Sequence, residues 1–259
     1  MGGIEYRKVV ETVADDFQEN PINYVTERDF QVAMVEKLRA MLSPASATLT
    51  TTVLDGTSDT SFKRAYWQQI QRQMSTQGQI DRVHTELSVQ KNERLDVAVF
   101  QPELSHPIQW VSGGSKRFDE RDLEFVCELK FVKNKTSFPT TSGHPVRELA
   151  ANPSSAPRLC ESVSSDTSIL DISENGIEKD IKELNRLSDV PTRIMLLVSN
   201  NNYLYQNPTP AEKDDYRFGE LYHRLGKAAR RWMAKTASEG VDILYVHPRG
   251  SLWLTDSDR

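Results

Sequence analysis

The chain has 259 residues, of which 37% are hydrophobic and 27% are charged, and its formal net charge is -5. This composition is that of an ordinary globular protein that can bury a core, and the absence of a run of about 18 apolar residues argues against a membrane span. The acidic balance disfavours indiscriminate nucleic-acid binding, although a local basic groove stays compatible with it. With no apolar signal core before Asp16 and only two cysteines, we expect a cytoplasmic protein.

The first well-defined helix is predicted from Thr26 to about Leu42. Thr26 is a favourable N-cap residue, and Asp29 stands three residues later, in the capping-box position. At about 100° per residue, Glu27 projects within about 40° of the centre of the apolar stripe. Glu27 should therefore point toward whatever the helix packs on, either as an acid that interacts with the helix dipole or as part of a site.

Two strands joined by a short turn are predicted after this helix. Residues 45–62 are rich in Ser and Thr and predict a loop, and residues 61–77 predict a peripheral helix. Period-two alternation then predicts a strand over 82–89, which pairs as a hairpin with the apolar run 94–100. Whether Glu86 of the first strand shares a face with the second depends on the register, which a one-residue slip would reverse, so both arrangements stay open.

Charged residues interrupt two of the apolar strands. Asp96 lies inside the run 94–100, and a buried carboxylate costs several kcal/mol unless a partner or a metal compensates it. The connection over 101–123 is predicted to be an extended hairpin loop that contains Trp110. It leads to the strand 124–132, in which alternation puts Glu128 and Lys130 on one face and the apolar residues on the other. This strand is predicted to carry a polar site on one side and a core on the other.

The second half of the chain predicts alternating helices and strands. Residues 134–175 are rich in Ser, Thr, Pro and Asn and predict a long loop, which in a domain is usually functional or disordered. A compact helix follows over 177–188, and the pattern favours a place outside the site for Asp180, which flanks its apolar stripe. The remaining elements are the strand 193–199, a helix over 217–238 and a last strand over 241–246.

The helix over 217–238 has a basic side. Such a pattern favours a solvated face over contact with nucleic acid. The residues concerned are Arg224, Lys227, Arg230, Arg231 and Lys235.

The order of these elements predicts an α/β fold with a mixed central sheet flanked by helices. One strand pair is antiparallel, and helical crossovers build the other side of the sheet. We expect residues 1–259 to form a single domain with loop insertions at 45–62, 101–123 and 134–175.

Asp96, followed by Glu128-Leu129-Lys130, resembles the PD-(D/E)XK nuclease superfamily, whose fold is restriction-endonuclease-like with an αβββαβ core. The resemblance covers roughly residues 26–246. The triplet is short, but it lies in a hydrophobic strand and follows another strand that an acid interrupts. Two features depart from the family pattern: Leu95 replaces the proline, and the insertion lengthens the gap between the two acids.

The resemblance implies a set of roles. Asp96 and Glu128 would bind Mg²⁺ or Mn²⁺ together with the backbone carbonyl of Leu129, and Glu27 would bind the metal directly or through water. Lys130 would orient and help activate the attacking water. The implied activity is hydrolysis of phosphodiester bonds in DNA by an endo- or exonuclease, in restriction, phage defence or repair.

An alternative is a catalytically inactive subunit that uses the same fold for nucleic-acid binding or assembly, with Lys130 in a buried ion pair with one of the acids. RNA as the substrate is not separated from DNA by the sequence. A homodimer or a larger defence or repair complex is compatible with the family, and a membrane partner is not expected.

Overall fold

The computed structural model of the chain describes residues 5–48, 77–89, 94–106, 109–110, 116–132, 144–165, 176–204, 219–237 and 239–254. The helices are α1 (Tyr6–Glu19), α2 (Glu27–Met41), α3 (His144–Ala151), α4 (Ala156–Ser165), α5 (Gly176–Arg186) and α6 (Gly219–Thr236). The strands are β1 (Ala45–Thr48), β2 (Gln77–Ile80), β3 (Val83–Ser88), β4 (Arg94–Phe100), β5 (Glu103–Leu104), β6 (Gln109–Trp110), β7 (Lys116–Arg117), β8 (Leu123–Val132), β9 (Thr192–Ser199), β10 (Val241–His247) and β11 (Gly250–Trp253).

A six-stranded sheet in the order β11-β10-β9-β8-β4-β3 is the centre of the fold. β8, β9 and β10 are parallel, whereas β3, β4 and β11 join the sheet antiparallel. Parallel neighbours need long crossovers, and the chain supplies them with helices between β8 and β9 and between β9 and β10. The predicted fold class, an α/β fold with a mixed sheet flanked by helices, is confirmed.

Two apolar cores cover the two faces of this sheet. α1 and α2 pack on one face, where Phe17 and Phe30 join the side chains of Phe125 and Cys127. α5 and α6 pack on the opposite face together with α3 and α4. Because successive residues of a strand point to opposite faces, each central strand contributes to both cores. In the described residues, no helix is long and apolar enough to cross a membrane.

Two predicted loops contain strands. β1 lies within the predicted loop 45–62 and forms a small sheet of order β2-β1-β5. β5, β6 and β7 lie within the predicted loop 101–123, where β6 and β7 pair antiparallel as the expected hairpin with Trp110 in it. β1 and β5 are only four and two residues long, so local periodicity was too short to reveal them. The predicted helix over 61–77 lies outside the described residues except for Gln77, which begins β2.

The prediction of a loop over 134–175 is wrong for the described part of that segment. Residues 144–151 and 156–165 form α3 and α4. Pro145 and Pro157 each stand at the second residue of their helix. Proline is tolerated in the first helical turn, where its missing N–H has no intrahelical partner to lose. These two prolines therefore mark the starts of helices, whereas the prediction took the proline content of the segment to indicate a loop.

Candidate functional site

β4 and β8 separate at one end of their ladder and leave a gap that two carboxylates fill. The ladder ends at the pair Val97–Cys127, whereas β8 continues to Val132. Beyond that point Asp96 Oδ2 accepts a hydrogen bond from the backbone N–H of Leu129 at 2.8 Å. We call the gap between β4 and β8 beyond the pair Val97–Cys127 the fork.

Glu27 fills the outer part of the fork. Its Oε1 accepts a hydrogen bond from the backbone N–H of Phe131 at 3.0 Å. Glu27 is the first residue of α2, and the start of this helix is fixed where the Asp29 carboxylate accepts from the N–H of Thr26 at 2.7 Å. The prediction that Glu27 points toward the packed side of the helix is confirmed. Asp96 and Glu27 thus satisfy two N–H groups of β8 on the edge where the β4–β8 ladder, as the described residues form it, has ended.

Three acids lie in neighbouring positions on three adjacent strands. The pairs on either side of Glu86 place it opposite Asp96 in the β3–β4 ladder. Extending the β4–β8 register by one residue beyond its last pair places Asp96 opposite Glu128. The register that the sequence left open therefore brings Glu86 beside Asp96. Like charges directly opposite each other destabilise a sheet, so this row of acids calls for compensation.

Gln31 bridges two of these acids. Its Nε2 donates to Asp96 Oδ1 at 3.1 Å and to Glu86 Oε1 at 3.3 Å. Glu86 has a φ of 53°, a left-handed conformation that residues other than glycine adopt rarely and at a cost of about 1–3 kcal/mol. Gln31 was not among the predicted site residues, although it stands four residues after Glu27 and so lies on the same side of α2.

Glu128 is the most deeply buried acid of the row. The residue is only 5% exposed, and its Oε1 has no hydrogen-bond partner within the described part of the chain. Burial raises the pKa of Glu128 to about 10, and the carboxylates of Asp96 and Asp180 add to the shift. Burial also raises the pKa of Asp96, with a further contribution from Glu27. At neutral pH and without a cation, Glu128 therefore keeps a proton.

Lys130 lies two residues further along the same face of β8 and meets α5. Its Nζ is 3.2 Å from Asp180 Oδ2. A Cβ atom added to Gly176 would lie 2.8 Å from the same Nζ, so the absence of a side chain at Gly176 leaves room for the ammonium group. Gly176 and Asp180 are one turn apart on α5, and we call this pair the lysine seat. The sequence favoured a place outside the site for Asp180, and the structure corrects this.

The carboxylates of Asp96 and Glu128 together are suited to bind a hard cation. Among the described residues, no three His, Cys, Asp or Glu side chains form a group that could hold a metal ion. Mg²⁺ in proteins is usually held by one or two carboxylates and keeps several waters. Asp96 and Glu128 meet this need, and the Leu129 carbonyl lies on the same strand edge as the N–H that Asp96 binds. The unpartnered Oε1 and the raised pKa of Glu128 are the features that a cation would relieve.

Compared with protein-family models, curated proteins and solved structures, the chain has no significant match. The resemblance to the PD-(D/E)XK superfamily therefore stays a prediction, which depends on the quoted residues and on the order of elements. Direct metal binding by Glu27 also stays a prediction, since its Oε1 is engaged by the N–H of Phe131.

Proposed function

We propose that this chain is a metal-dependent phosphodiesterase of the PD-(D/E)XK type that hydrolyses DNA. The observation that carries the proposal is the pairing of the buried carboxyl group of Glu128 with the partly buried one of Asp96, with Oε1 of Glu128 unpartnered among the described residues and Lys130 on the same face. Such a pair is expensive to keep in a protein that has no use for it. Hydrolysis of a phosphodiester needs little more than a cation, a positioned water and a positive group.

Each residue of the proposed site has a role that follows from its place. Asp96 and Glu128 supply the carboxylate oxygens, and Leu129 supplies a carbonyl oxygen on the same strand edge. When bound, Mg²⁺ or Mn²⁺ lowers the pKa of a coordinated water and stabilises charge that develops on the phosphate oxygens. Lys130 offsets phosphate charge and orients the water, and the lysine seat holds its ammonium group at one end of the site.

Because the site is negatively charged, a cation must bind to it before the substrate does. Glu27, Glu86 and Asp96 lie around the proposed place of the phosphate. The ammonium group of Lys130 beside them is itself paired with Asp180. A polyanion is repelled from such a surface unless a cation neutralises it. We therefore expect metal binding to precede productive binding of DNA at the scissile phosphate.

A second candidate function is a subunit that binds or assembles without cleaving. Three hydrogen bonds or ion pairs favour it. Asp96 and Glu27 each satisfy a backbone N–H of β8, and Lys130 is paired with Asp180. Each of these groups therefore has a structural role that needs no chemistry. Buried ion pairs of this kind can persist without adding stability.

Nuclease assays with amide variants separate the two candidates. Plasmid DNA, linear DNA and RNA are incubated with Mg²⁺ or Mn²⁺ and wild type, Asp96→Asn, Glu128→Gln or Lys130→Met. Asn keeps an oxygen that can accept from the N–H of Leu129, so Asp96→Asn removes charge while the fork keeps its hydrogen bond. We expect each variant to lose cleavage by at least about 100-fold.

Glu36→Gln is the matched control, because Glu36 is an exposed acid of α2. It should cleave like wild type. Cleavage that persists in all three site variants would place the activity elsewhere or in a contaminant. No cleavage of any substrate by wild type would favour the non-cleaving subunit.

A further inference from the structure

Among the residues of α6 whose exposure the structure describes, the exposed ones are all basic or histidine. In the described part of this helix the exposed positions are His223, Lys227, Arg231 and Lys235. They follow one another at intervals of four residues, so they lie along one side of the helix. No Asp or Glu occurs between Leu221 and Ala237. We call these four residues the basic stripe.

The cations of the basic stripe have like-charged neighbours, unlike those of α5. On α5, Lys179 pairs with Glu183 at 3.2 Å and Lys182 with Glu178 at 2.6 Å. On α6, each lysine or arginine of the stripe has another basic residue or His223 four positions away within the helix, and Glu239, four positions after Lys235, lies beyond the helix end. Like charges at this spacing destabilise a helix. The arrangement is therefore unfavourable for the isolated protein and would be relieved by an anionic partner.

The partner that fits is a polyanion rather than a membrane surface. A helix that lies on a membrane needs an apolar side free to enter the lipid. The apolar side of α6 is used in the core, where Leu221, Leu225 and Ala229 are fully buried and Met233 is 1% exposed. The surface left over is charged and linear, on a chain whose net charge is -5. Charge complementarity points to a regular array of anions.

We propose that the basic stripe binds the phosphate backbone of the nucleic acid on which the site acts. This inference rests on the proposed function and adds how the substrate is held. From His223 to Lys235 the stripe is about 18 Å long at 1.5 Å per residue, a length over which a DNA duplex presents about ten phosphate charges. α6 packs against α5, which carries the lysine seat, and both cover the face of the sheet to which Glu128 and Lys130 belong. Contacts of this kind are independent of sequence.

The salt dependence of binding tests the basic stripe without any cleavage. Binding of the full chain to a fluorescent 30-bp duplex is measured by anisotropy in EDTA across a series of salt concentrations. Each phosphate contact contributes about 0.9 to the slope of log K against log salt for duplex DNA. The triple variant Lys227→Gln, Arg231→Gln, Lys235→Gln should therefore lower the magnitude of the slope by close to three such contributions. Its thermal midpoint should stay close to that of wild type, because relief of the repulsion between exposed charges offsets the loss of Lys235 from the last turn, where the helix dipole favours a cation.

A matched control removes the same charge from cations that already have acidic partners. Lys8 pairs with Glu5, Lys37 with Asp16 and Lys182 with Glu178, so Lys8→Gln, Lys37→Gln, Lys182→Gln changes the net charge equally. This variant should keep nearly the wild-type slope. An equal loss of slope in both triple variants would show a net-charge effect and overturn the inference.

Cleavage is measured in parallel, so that the inference and the proposed function can fail separately. A wild type that binds with a stripe-dependent slope but never cleaves would support the stripe and overturn the nuclease. A wild type that cleaves while the stripe variant keeps its slope would overturn the stripe alone. Binding to anionic lipid vesicles without binding to duplex, single-stranded DNA or RNA would also overturn the stripe.

Discussion

At the scale of single residues, the protonation of Glu128 is the feature with the clearest consequence. Its pKa in the folded protein is raised to about 10, against about 4.3 for an ordinary glutamate. Above that ordinary value the unfolded chain gives up a proton that the folded protein keeps. The contribution of Glu128 to stability is therefore complete below about pH 4.3 and is lost progressively as the pH rises toward 10.

Replacing Glu128 with Gln should remove this pH dependence. In EDTA, the free energy of unfolding of wild type should fall between pH 6 and pH 9 more steeply than that of Glu128→Gln, by up to about 1.4 kcal/mol per pH unit. Urea unfolding at several pH values measures the difference. Glu36→Gln should retain the wild-type slope. Parallel curves for wild type and Glu128→Gln would show that the carboxyl group is ionised in the folded protein.

The lysine seat predicts a loss of activity without a loss of stability. In Gly176→Ala the added Cβ would lie 2.8 Å from Lys130 Nζ, so the flexible ammonium group must move. Alanine is also the better helix former by about 0.5–1 kcal/mol. We expect an unchanged or higher thermal midpoint together with cleavage reduced about tenfold or more. If Gly176→Ala cleaved at the wild-type rate, the position of Lys130 would be unimportant for cleavage.

The acids and the lysine could be found from sequence, but their partners could not. Asp96, Glu128 and Lys130 interrupt apolar strands, and charge in such a place is unusual enough to notice. Gln31 and Asp180 are polar residues on amphipathic helices, where polar residues are expected. What makes them part of the site is the packing of α2 and α5 on the sheet, and one helix's periodicity contains no information about that.

At the scale of elements, the sequence predicted the helices and strands whose buried apolar residues follow a regular pattern along the whole element. α2 was expected to end near Leu42 and ends at Met41, and β9 and β10 lie where the apolar runs 193–199 and 241–246 predicted them. β1 was missed because Ala45–Thr48 alternates over only four residues, with alanine at both apolar positions, and becomes a strand through pairing with β2 and β5. Strands that long-range pairing creates have no local signal to read.

Gly226 gives a contrasting test at this scale. A Cβ added there would lie 2.2 Å from the backbone oxygen of Leu204, which also accepts a hydrogen bond from Arg230 Nη1 at 2.5 Å. Backbone cannot yield as a lysine side chain can, so α6 would be pushed away from the segment after β9. Gly226→Ala should destabilise the protein by about 1–3 kcal/mol, measured by urea unfolding. A neutral effect would contradict the close approach of α6 to Leu204.

At the scale of the whole molecule, the two cores make the site part of global folding. Asp96, Glu128 and Glu27 are held by a helix from one face of the sheet and by strands shared between both cores. A ligand that binds only this folded arrangement must stabilise the entire chain. The proposed cation therefore has a readout that does not depend on cleavage.

Addition of Mg²⁺ should stabilise the protein and release protons. At a concentration of 100 times the Kd, the gain is about 2.7 kcal/mol. Because Glu128 keeps a proton at neutral pH in the metal-free protein, binding should release about one proton. Calorimetry at pH 7 in two buffers of different ionisation enthalpy measures this release. Asp96→Asn and Glu128→Gln should abolish both effects, and a wild-type midpoint indifferent to Mg²⁺ would contradict the proposed ligand pair.

The strand register at the fork also determines where the chain can accept inserted residues during evolution. Asp96 faces Glu86 and Glu128 only because the ladders on both sides of β4 keep their register up to that residue. Residues added between Ser88 and Arg94 lie beyond the last pair of the β3–β4 ladder and leave this alignment intact. One residue inserted between Asp96 and Phe100 would shift the acid out of line with Glu128, because every pair of the β4–β8 ladder lies on that side of it. Homologues that keep the site should vary in length between β3 and β4 and hardly at all inside β4.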